Sequence, residues 1–470
     1  MINRQDIIDR ATEWQLRPEV VEKDYILGWL LCGIASHQET RDYWVFKGGT
    51  CIKKAYFETY RFSEDLDFSL LPEAPYTEEA IRHDLEAVAQ LTAELSGIEL
   101  PTGQIVVRSQ HNRQGQPTFQ GRIYYKGPLG FPGYARIIFD ITQHELIVDQ
   151  PVARVIFHPY PDTLPSDLSV LTYSLEELLA EKTRALYERT RPRDLYDVVY
   201  LLENRADAVN LSEVRRIFNE KCHLKGLEMP SVDVLREVVQ GNEELRSEWE
   251  NMLAHQLPSL PQLEDLVQRF MSLITWIEEP AFVPVAATLQ TVSTPQTETS
   301  IPLAGIRYWG SGSPIETIRF AGANRLLLEF SYHGRHRTVE PYSLRRASTG
   351  NILLYAWELA SGHIKAFKIS EMVGVQSISR GFTPRYRVEL SEGSISIPPV
   401  ASLPRSYPTI MRLTSARRSA SKTGRTYVFE CPYCNKRFRR QKYDSTLRPH
   451  KTKDGWNCPG RHAYLVDTEY

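Results

Sequence analysis

The sequence has few cysteines, little net charge and no apolar run long enough for a membrane. Its 470 residues include six cysteines, and 56 basic residues nearly balance 58 acidic ones. The apolar run at residues 25–35 is too short to span a bilayer, and no basic-then-apolar leader opens the chain. These absences argue against a disulfide scaffold and a membrane protein, and they predict a cytoplasmic protein with reduced thiols.

A glycine pair and two closely spaced aspartates lie within residues 46–67. Gly48 and Gly49 follow a short apolar run that predicts a strand, and a helix is predicted from Cys51, so backbone amides at this turn can hold phosphate oxygens. Asp65 and Asp67 are separated by one residue, which places both carboxylates on one face of a strand. Two hard oxygen ligands suit Mg²⁺ carrying a triphosphate, so the pattern predicts a nucleotidyltransferase.

A third carboxylate, Asp140, interrupts an apolar run at residues 136–142 that predicts a strand. For an isolated aspartate, a solvated strand end would be the favoured explanation. Beside Asp65 and Asp67, we expect Asp140 to be a metal ligand or the general base for an attacking hydroxyl.

Two further helices are predicted at residues 174–189 and from residue 193 onward. Lys182 falls within the apolar stripe of the first helix, where it would either snorkel to solvent or neutralise a triphosphate. Ser174 and Glu177 have the spacing of a capping box. Asp194 and Asp197 open the second helix, and the helix dipole explains Asp194 more readily than Asp197.

As an ordered set, these motifs resemble the AbiEii/AbiGii toxin family of nucleotidyltransferases, found in bacterial toxin–antitoxin and phage-defence systems. The resemblance covers roughly the first 280 residues and rests on Glu22-Lys23-Asp24-Tyr25, Lys47-Gly48-Gly49-Thr50, Arg61-x-Ser63-x-Asp65-x-Asp67, the Asp140 strand, Glu181-Lys182 and Arg193-Asp194-Leu195-Tyr196-Asp197. It implies an α/β nucleotidyltransferase fold with a helical C-terminal part. The implied activity is transfer of a nucleoside monophosphate from an NTP to an acceptor such as tRNA.

The resemblance also implies roles for individual residues. Mg²⁺ would bind the three aspartates, with Asp140 activating the acceptor hydroxyl, and Lys182 would neutralise charge on the triphosphate. The expected nucleotide-binding residues are Lys47, Gly48, Gly49, Thr50, Arg61, Asp194 and Asp197. An ion pair with a nearby carboxylate such as Glu64 is an equal alternative for Arg61. An adjacent antitoxin is an expected partner.

The middle of the chain predicts a linker at 281–304 and a small β-rich domain at 305–395. Short alternating runs at 326–332, 352–359 and 363–369 are separated by turn residues. The region resembles the WYL domain, a small Sm-like or SH3-like β barrel associated with sensing ligands or nucleic acids, although Tyr355-Ala356-Trp357 departs from the triad that names that domain. Candidates for binding an anionic ligand such as a nucleotide are Arg337, Arg345, Arg346 and Lys368, and a solvated basic face is the alternative.

A second linker is predicted at 396–424, and a zinc ribbon or finger at 425–470. Cys431, Cys434 and Cys458 are expected zinc ligands with His450 as the fourth and His462 as its competitor. Residues 405–470 contain fifteen Lys or Arg against five Asp or Glu. Basic and aromatic residues alternate around Arg437, Arg439, Arg440 and Lys442, which favours contact with RNA or DNA over a merely solvated surface.

Together these features favour a Mg²⁺-dependent nucleotidyltransferase with C-terminal modules that bind nucleic acid or sense a ligand. One alternative is a non-enzymatic regulator whose nucleotidyltransferase domain only binds NTP. Retention of all three aspartates and Lys182 argues against that regulator. Another alternative keeps the chemistry but transfers the nucleotide to a protein.

Overall fold

The computed structural model describes residues 1–74, 77–111, 117–143, 145–165, 168–205, 209–279, 288–301, 314–391, 426–431, 434, 436–440, 446–452, 458 and 463–469. The chain forms two compact units, Met1–Ser402 and Leu403–Tyr470. The predicted linker at 396–424, Lys442 and His462 lie outside the described residues. None of the described helices combines the length and apolar character needed to cross a membrane.

The first unit contains a seven-stranded sheet in the order β3-β4-β5-β2-β1-β7-β6. The strands are β1 (Trp44–Lys47), β2 (Leu66–Leu70), β3 (Val106–His111), β4 (Pro117–Tyr125), β5 (Ala135–Thr142), β6 (Val152–Arg154) and β7 (Val170–Thr172). Strand β2 pairs with β5 in parallel and with β1 antiparallel. Burial alternates along β5, with Ile137, Phe139 and Ile141 in the core and the intervening residues half-exposed. One face of this sheet is therefore apolar and the other polar.

Helices cover the apolar face and extend the unit toward its C-terminal half. They are α1 (Arg4–Glu13), α2 (Pro18–Ser36), α3 (Gln38–Tyr43), α4 (Gly48–Cys51), α5 (Glu78–Ser96), α6 (Leu175–Arg189), α7 (Pro192–Arg205), α8 (Leu211–Leu224), α9 (Val232–Gln240), α10 (Glu243–Ser247), α11 (Trp249–Leu253) and α12 (Leu263–Leu273). A π-helical turn, Ile52–Tyr56, continues α4. On α5, Leu85 lies so close to Gly121 that a Cβ there would be 2.5 Å from its Cδ1. This approach places α5 on the apolar face of β4.

The start of α6 differs from the expected capping box. Ser174 caps the helix by accepting a hydrogen bond from the Glu177 backbone N–H at 3.1 Å. The Glu177 carboxylate instead accepts bonds from the backbone N–H groups of Val148 and Asp149 and pairs with Lys221. The Glu177 side chain, which the local spacing assigned to the helix cap, therefore binds groups that are distant in the sequence.

A second sheet, antiparallel and six-stranded, also belongs to the first unit. Its strands are β8 (Thr299–Ser300), β9 (Leu326–Tyr332), β10 (Arg335–Arg346), β11 (Ile352–Glu358), β12 (His363–Lys368) and β13 (Met372–Gly381), with helix α13 (Ile315–Ala323) packed against β9, β10 and β13. Three of these strands lie within one residue of the predicted runs. Strand β8 falls inside the predicted linker 281–304, where Val292 and Ile301 are buried.

The end of α13 contacts α7 directly. The Tyr196 hydroxyl donates a 2.5 Å hydrogen bond to Asn324 Oδ1, and Asn204 donates to the Ala323 carbonyl at 3.1 Å. Arg325, which has a left-handed φ of 56°, donates to the Glu203 carbonyl at 2.9 Å. The second sheet therefore supports the helix that carries Asp197.

The second unit is built on strands β14 (Thr426–Glu430), β15 (Arg437–Arg440) and β16 (Tyr464–Glu469), with β14 in the centre. Its described core is small and consists of Phe429, Cys431, Leu447, Cys458 and Ala463, with Cys434 and Phe438 packed against them. So few apolar side chains give little hydrophobic stabilisation, which is typical of domains stabilised by a metal.

Candidate active site

The three predicted aspartates meet on the polar face of the first sheet. Asp67 on β2 is directly opposite Asp140 on the parallel strand β5, and Lys47 on β1 is opposite Asp67 from the other side. Asp65 precedes β2 by one residue and interacts electrostatically with both other carboxylates. The register therefore brings Asp140 together with Asp65, which is 75 positions before it in the sequence.

These carboxylates resist ionisation. Burial, followed by repulsion from Asp140, raises the pKa of Asp67 to about 6, and burial with the charges of Glu64 and Asp67 raises the pKa of Asp65 to about 6. The pKa of Asp140 is also raised, by burial and by Asp65. None of the three forms an ion pair with another described residue. A cluster of this kind has a negative potential that favours a bound cation.

The glycine turn is shaped around the acidic residues. Gly48 has φ +79°, and a Cβ at this position would lie 2.2 Å from Asp67 Oδ2. A Cβ on Gly49 would lie 2.8 Å from Arg61 Nη2. The Thr50 hydroxyl donates to the Asp65 carbonyl. Both glycines are thus needed for the close approach of charged side chains, in addition to any contact with phosphate.

Behind the acidic cluster lies a buried ion network centred on Asp197, which has no exposed surface. Arg61 forms a two-point contact with it, Nε to Oδ1 at 2.7 Å and Nη2 to Oδ2 at 2.8 Å. Lys182 Nζ contacts Asp197 Oδ2 at 2.7 Å and also lowers the pKa of Asp67 electrostatically. The ion pair that was the alternative prediction for Arg61 is present, but its partner is Asp197. Glu64, the carboxylate named in that prediction, pairs with Lys23.

Asp194 is equally buried and binds Arg189 through both oxygens, at 2.7 and 2.8 Å. The Arg189 side chain is 49% exposed and also lowers the pKa of Asp67. Asp194 therefore positions an exposed guanidinium beside the acidic cluster. Sequence reasoning missed Arg189, because nothing in the helix pattern distinguishes it from an ordinary C-terminal arginine.

Two polar residues next to the aspartates also escaped sequence reasoning. Gln120, opposite Asp140 on β4, donates a 3.2 Å hydrogen bond to Asp140 Oδ1 and accepts one from Arg122 at 3.0 Å. Glu145 forms an ion pair with Lys47 and also accepts a 2.6 Å hydrogen bond from the Ser69 hydroxyl. Alternation on β4 would have placed Gln120 on the polar face, but only the strand order shows that β4 is next to β5.

A model of the AbiEii nucleotidyltransferase toxins of type IV toxin–antitoxin systems matches residues 29–274, more than half of the chain and all of the acidic cluster. The chain belongs to this family. It is therefore a nucleotidyltransferase of a toxin–antitoxin family.

Two solved structures show weak similarity to this AbiEii-family protein. The nucleotidyltransferase toxin MenT4 of Mycobacterium tuberculosis H37Rv is 20% identical, with a TM-score of 0.36 over 61% of this chain and 92% of that one. The proteasome accessory factor PafBC of Arthrobacter aurescens is 11% identical, with a TM-score of 0.14 over 79% of this chain and 74% of that one. No curated protein matches the sequence. The family model alone thus carries the assignment.

The C-terminal unit of this AbiEii-family protein carries a second cluster of metal-binding side chains. Ligand atoms of Cys431, Cys434, His450 and Cys458 all lie within 4.8 Å of one another. The His450 ring lies 3.2 Å from Cys434 Sγ through Nε2 and 3.0 Å from the Arg448 carbonyl through Nδ1. Among the described residues only this cluster gathers three or more such atoms so closely, so the three aspartates are more widely spaced.

Three of the basic residues proposed for the second sheet pair with carboxylates. Arg345 and Lys368 are aligned two strands apart across Leu353, whereas Arg337 lies farther along β10. Arg337 pairs with Glu358, Arg345 with Glu389 and Lys368 with Glu371. Arg337 and Arg345 are eight residues apart on one strand, roughly 26 Å. Carboxylates on neighbouring elements, which a one-dimensional pattern does not show, balance these charges.

Proposed function

We propose that the protein transfers a nucleoside monophosphate from an NTP to a hydroxyl of an RNA acceptor, with tRNA as the leading acceptor. The acceptor oxygen forms a bond to the α-phosphorus, the bond from the α-phosphorus to the bridging oxygen breaks, and pyrophosphate leaves. Asp140, whose pKa is raised towards neutrality, accepts the proton of the hydroxyl or serves as a metal ligand.

The observation that carries this proposal is the arrangement of Asp65, Asp67 and Asp140. Three half-exposed carboxylates share one face of two parallel strands, their pKa values are raised, and no described cation pairs with them. Such a set of hard oxygen donors fits Mg²⁺, which when bound would neutralise phosphate charge.

Basic residues around the cluster are suited to the triphosphate. Lys182 uses one of its three donors on Asp197 and lies close enough to Asp67 to affect its pKa, while Arg189 is held by Asp194. We assign Lys182 to the phosphates, and Gly48, Gly49 and Thr50 to the phosphate-binding turn. Asp194 and Asp197 then act in nucleotide binding through the cations that they orient.

The C-terminal unit contributes a zinc site and an RNA-binding strand in this proposal. Two sulfurs bound to zinc in a tetrahedron lie about 3.7 Å apart, and Cys431 Sγ and Cys458 Sγ are 3.6 Å apart. A proton on His450 Nδ1 shared with the Arg448 carbonyl would leave Nε2 as the ligand atom. Arg437 and Arg439 are exposed on β15 and would contact phosphates.

The second sheet and the family assignment suggest two kinds of partner. A WYL-type role for the antiparallel sheet rests on its sequence resemblance, and its ligand would be a nucleotide or nucleic acid. A cognate antitoxin follows from the toxin–antitoxin family. A role in phage defence is consistent with such a pair.

The test is to incubate the purified protein with each labelled NTP, Mg²⁺ and total RNA, and to ask where the label goes. The wild type should label RNA, and the Asp65→Ala/Asp67→Ala variant should not. A matched control is Asp233→Ala/Glu237→Ala, which removes two exposed carboxylates from α9. Label found in protein would mean that the acceptor is a protein and not RNA. Binding of NTP without any transfer would favour a non-enzymatic regulator.

A further inference from the structure

The polar face of the first sheet continues beyond the aspartates onto β4 and β3. Arg122 on β4 is opposite Ile138, and Tyr124 is opposite Arg136 on β5. On β3, Arg108 is opposite Gln120, which itself is opposite Asp140. Because side chains alternate along each strand, all three arginines share the face that carries Asp140.

This arginine-bearing face is accessible. Arg108 is exposed, and Arg122 and Arg136 are half-exposed. Helix α5 packs on the other face, as the contact between Leu85 and Gly121 shows. Lys23, which is paired with Glu64, lies close enough to interact electrostatically with Arg136. The strands next to the acidic cluster therefore offer positive charge to a polyanion.

Two exposed aromatic side chains lie in the loop that joins β4 and β5, residues 126–134. Phe131 is 48% exposed and Tyr134 is 41% exposed, both unusually high for aromatic residues. Tyr134 continues the alternation of Arg136, Ile138 and Asp140. Exposed aromatic rings beside arginines form the usual surface for stacking single-stranded bases.

The loop is anchored at its base. Leu129 is buried and donates a 2.6 Å hydrogen bond to Glu22 on α2. The Glu22 side chain also packs directly on Gly127, where a Cβ would lie 2.3 Å from Oε1. The Tyr134 hydroxyl is tied to Glu99. The base of the loop and the Tyr134 ring are thus held by fixed contacts, which lowers the entropy lost when a base stacks on this ring.

The distances fit a strand of nucleic acid that ends at the aspartates. Arg136 precedes Asp140 by four residues on one strand, roughly 13 Å. Stacked nucleotides rise about 3.4 Å each, so about four of them would span the interval. An acceptor end placed at Asp140 would bring its next few nucleotides over Arg136 and the aromatic rings.

We infer that Arg108, Arg136, Phe131 and Tyr134 form the binding track for the single-stranded end of the RNA acceptor. The arginines contact phosphates, and the rings stack against bases a few nucleotides from the reacting hydroxyl. This inference rests on the proposed function, since the track leads to the acidic cluster. It assigns acceptor selection to the β4–β5 hairpin of the catalytic unit itself.

The test measures binding of a 5′-labelled single-stranded RNA dodecamer ending in CCA to the full-length chain by fluorescence anisotropy over a salt series. Phe131→Ala should weaken binding about tenfold without changing the salt dependence. Arg108→Ala/Arg136→Ala should flatten the slope of log affinity against log salt by roughly 1.4. The controls are Leu95→Ala, equally exposed but on α5, and Arg216→Ala on α8.

Acceptor length supplies the second readout. We expect Phe131→Ala to lower kcat/KM for the dodecamer. The factor of this loss should be about ten times the factor for the dinucleotide CpA, which is too short to reach the loop. If Phe131→Ala binds the dodecamer as tightly as Leu95→Ala, the track is refuted. If Phe131→Ala instead lowers labelling of a protein acceptor and leaves RNA affinity unchanged, an RNA track is equally refuted. Pyrophosphate release that does not depend on Asp65 and Asp67 would refute the proposed function and leave the binding result intact.

Discussion

Two groups of aspartates in the first unit have opposite surroundings. Asp194 and Asp197 are fully buried, and each binds an arginine through both oxygens. Asp65 and Asp67 are half-exposed and lack an ion pair with any described residue. Arginine and lysine hold the pKa of Asp197 below its usual range despite burial, whereas burial and like charge raise the pKa of Asp67 to about 6.

The contrast separates residues that stabilise the site from residues available for chemistry. A paired buried carboxylate stays charged because its partners compensate for lost hydration. An uncompensated cluster is held by the surrounding fold at a cost in stability, and such clusters are common at functional sites. Aspartate residues thus have two different roles in this unit, and the presence or absence of an ion pair distinguishes the two.

The largest expected effect is the loss of transfer activity in Asp140→Asn. The change removes a negative charge and a proton acceptor while keeping the size of the side chain, so turnover should fall on the order of a thousandfold. The folded structure should be retained, as judged by circular dichroism and melting temperature. Gln120→Leu, which removes only the hydrogen bond to Asp140, should lose about tenfold. Turnover within a factor of about three of wild type in Asp140→Asn would remove this residue from the mechanism.

The next largest effect is expected at Asp197. Asp197→Ala leaves Arg61 and Lys182 buried without their shared anion, which typically costs about 3–5 kcal/mol. Urea denaturation should show this loss. The double variant Asp197→Leu/Lys182→Met, which removes one of the unpaired charges, should recover part of it. A melting curve for Asp197→Ala that overlays the wild type would contradict the structural role.

A smaller effect is expected at the glycine turn. Gly48→Ala places a methyl group against Asp67 at a left-handed φ, and should cost about 1–2 kcal/mol. Turnover should fall as well, because Asp67 must move. Gly103→Ala, where a Cβ meets nothing within 4 Å, is the control. Equal melting temperatures and equal turnover rates for Gly48→Ala and Gly103→Ala would exclude the close approach of Asp67 to Gly48.

The smallest effect is a pH-dependent gain of stability in Asp67→Asn. A folded pKa of about 6, against the ordinary aspartate value of 3.8, means that Asp67 stabilises the fold below about pH 4 and loses this contribution as pH rises to 6. The full shift corresponds to about 3 kcal/mol, and solvent screening of this half-exposed side chain reduces the expected difference to about 1 kcal/mol. The variant should therefore be more stable than the wild type by that amount above pH 6 and match it near pH 4. Unfolding in the absence of Mg²⁺ across this range measures the difference. A constant difference at every pH would show that Asp67 does not titrate in this way.

The sequence predicted elements whose signals are local. Strand β5, the stripe of α7 and the strands of the second sheet follow periodicity, and the one-residue spacing of Asp65 and Asp67 defines their common face. The sequence could not reveal pairings that depend on tertiary structure. Arg61 and Asp197 are 136 positions apart, and Gln120 meets Asp140 only because β4 is next to β5. Strand β8 escaped notice because two paired residues are too few to produce a period.

The contact between α13 and α7 has a consequence for when the enzyme becomes fully stable during its own synthesis. The Tyr196 hydroxyl, the Asn204 amide and the Glu203 carbonyl each gain a hydrogen bond from residues 323–325. A ribosome that has made the first 280 residues has made all three aspartates of the acidic cluster, but α7 still lacks the hydrogen bonds that residues 323–325 supply. We expect the enzyme to reach its mature stability only when residues 323–325 have emerged from the ribosome.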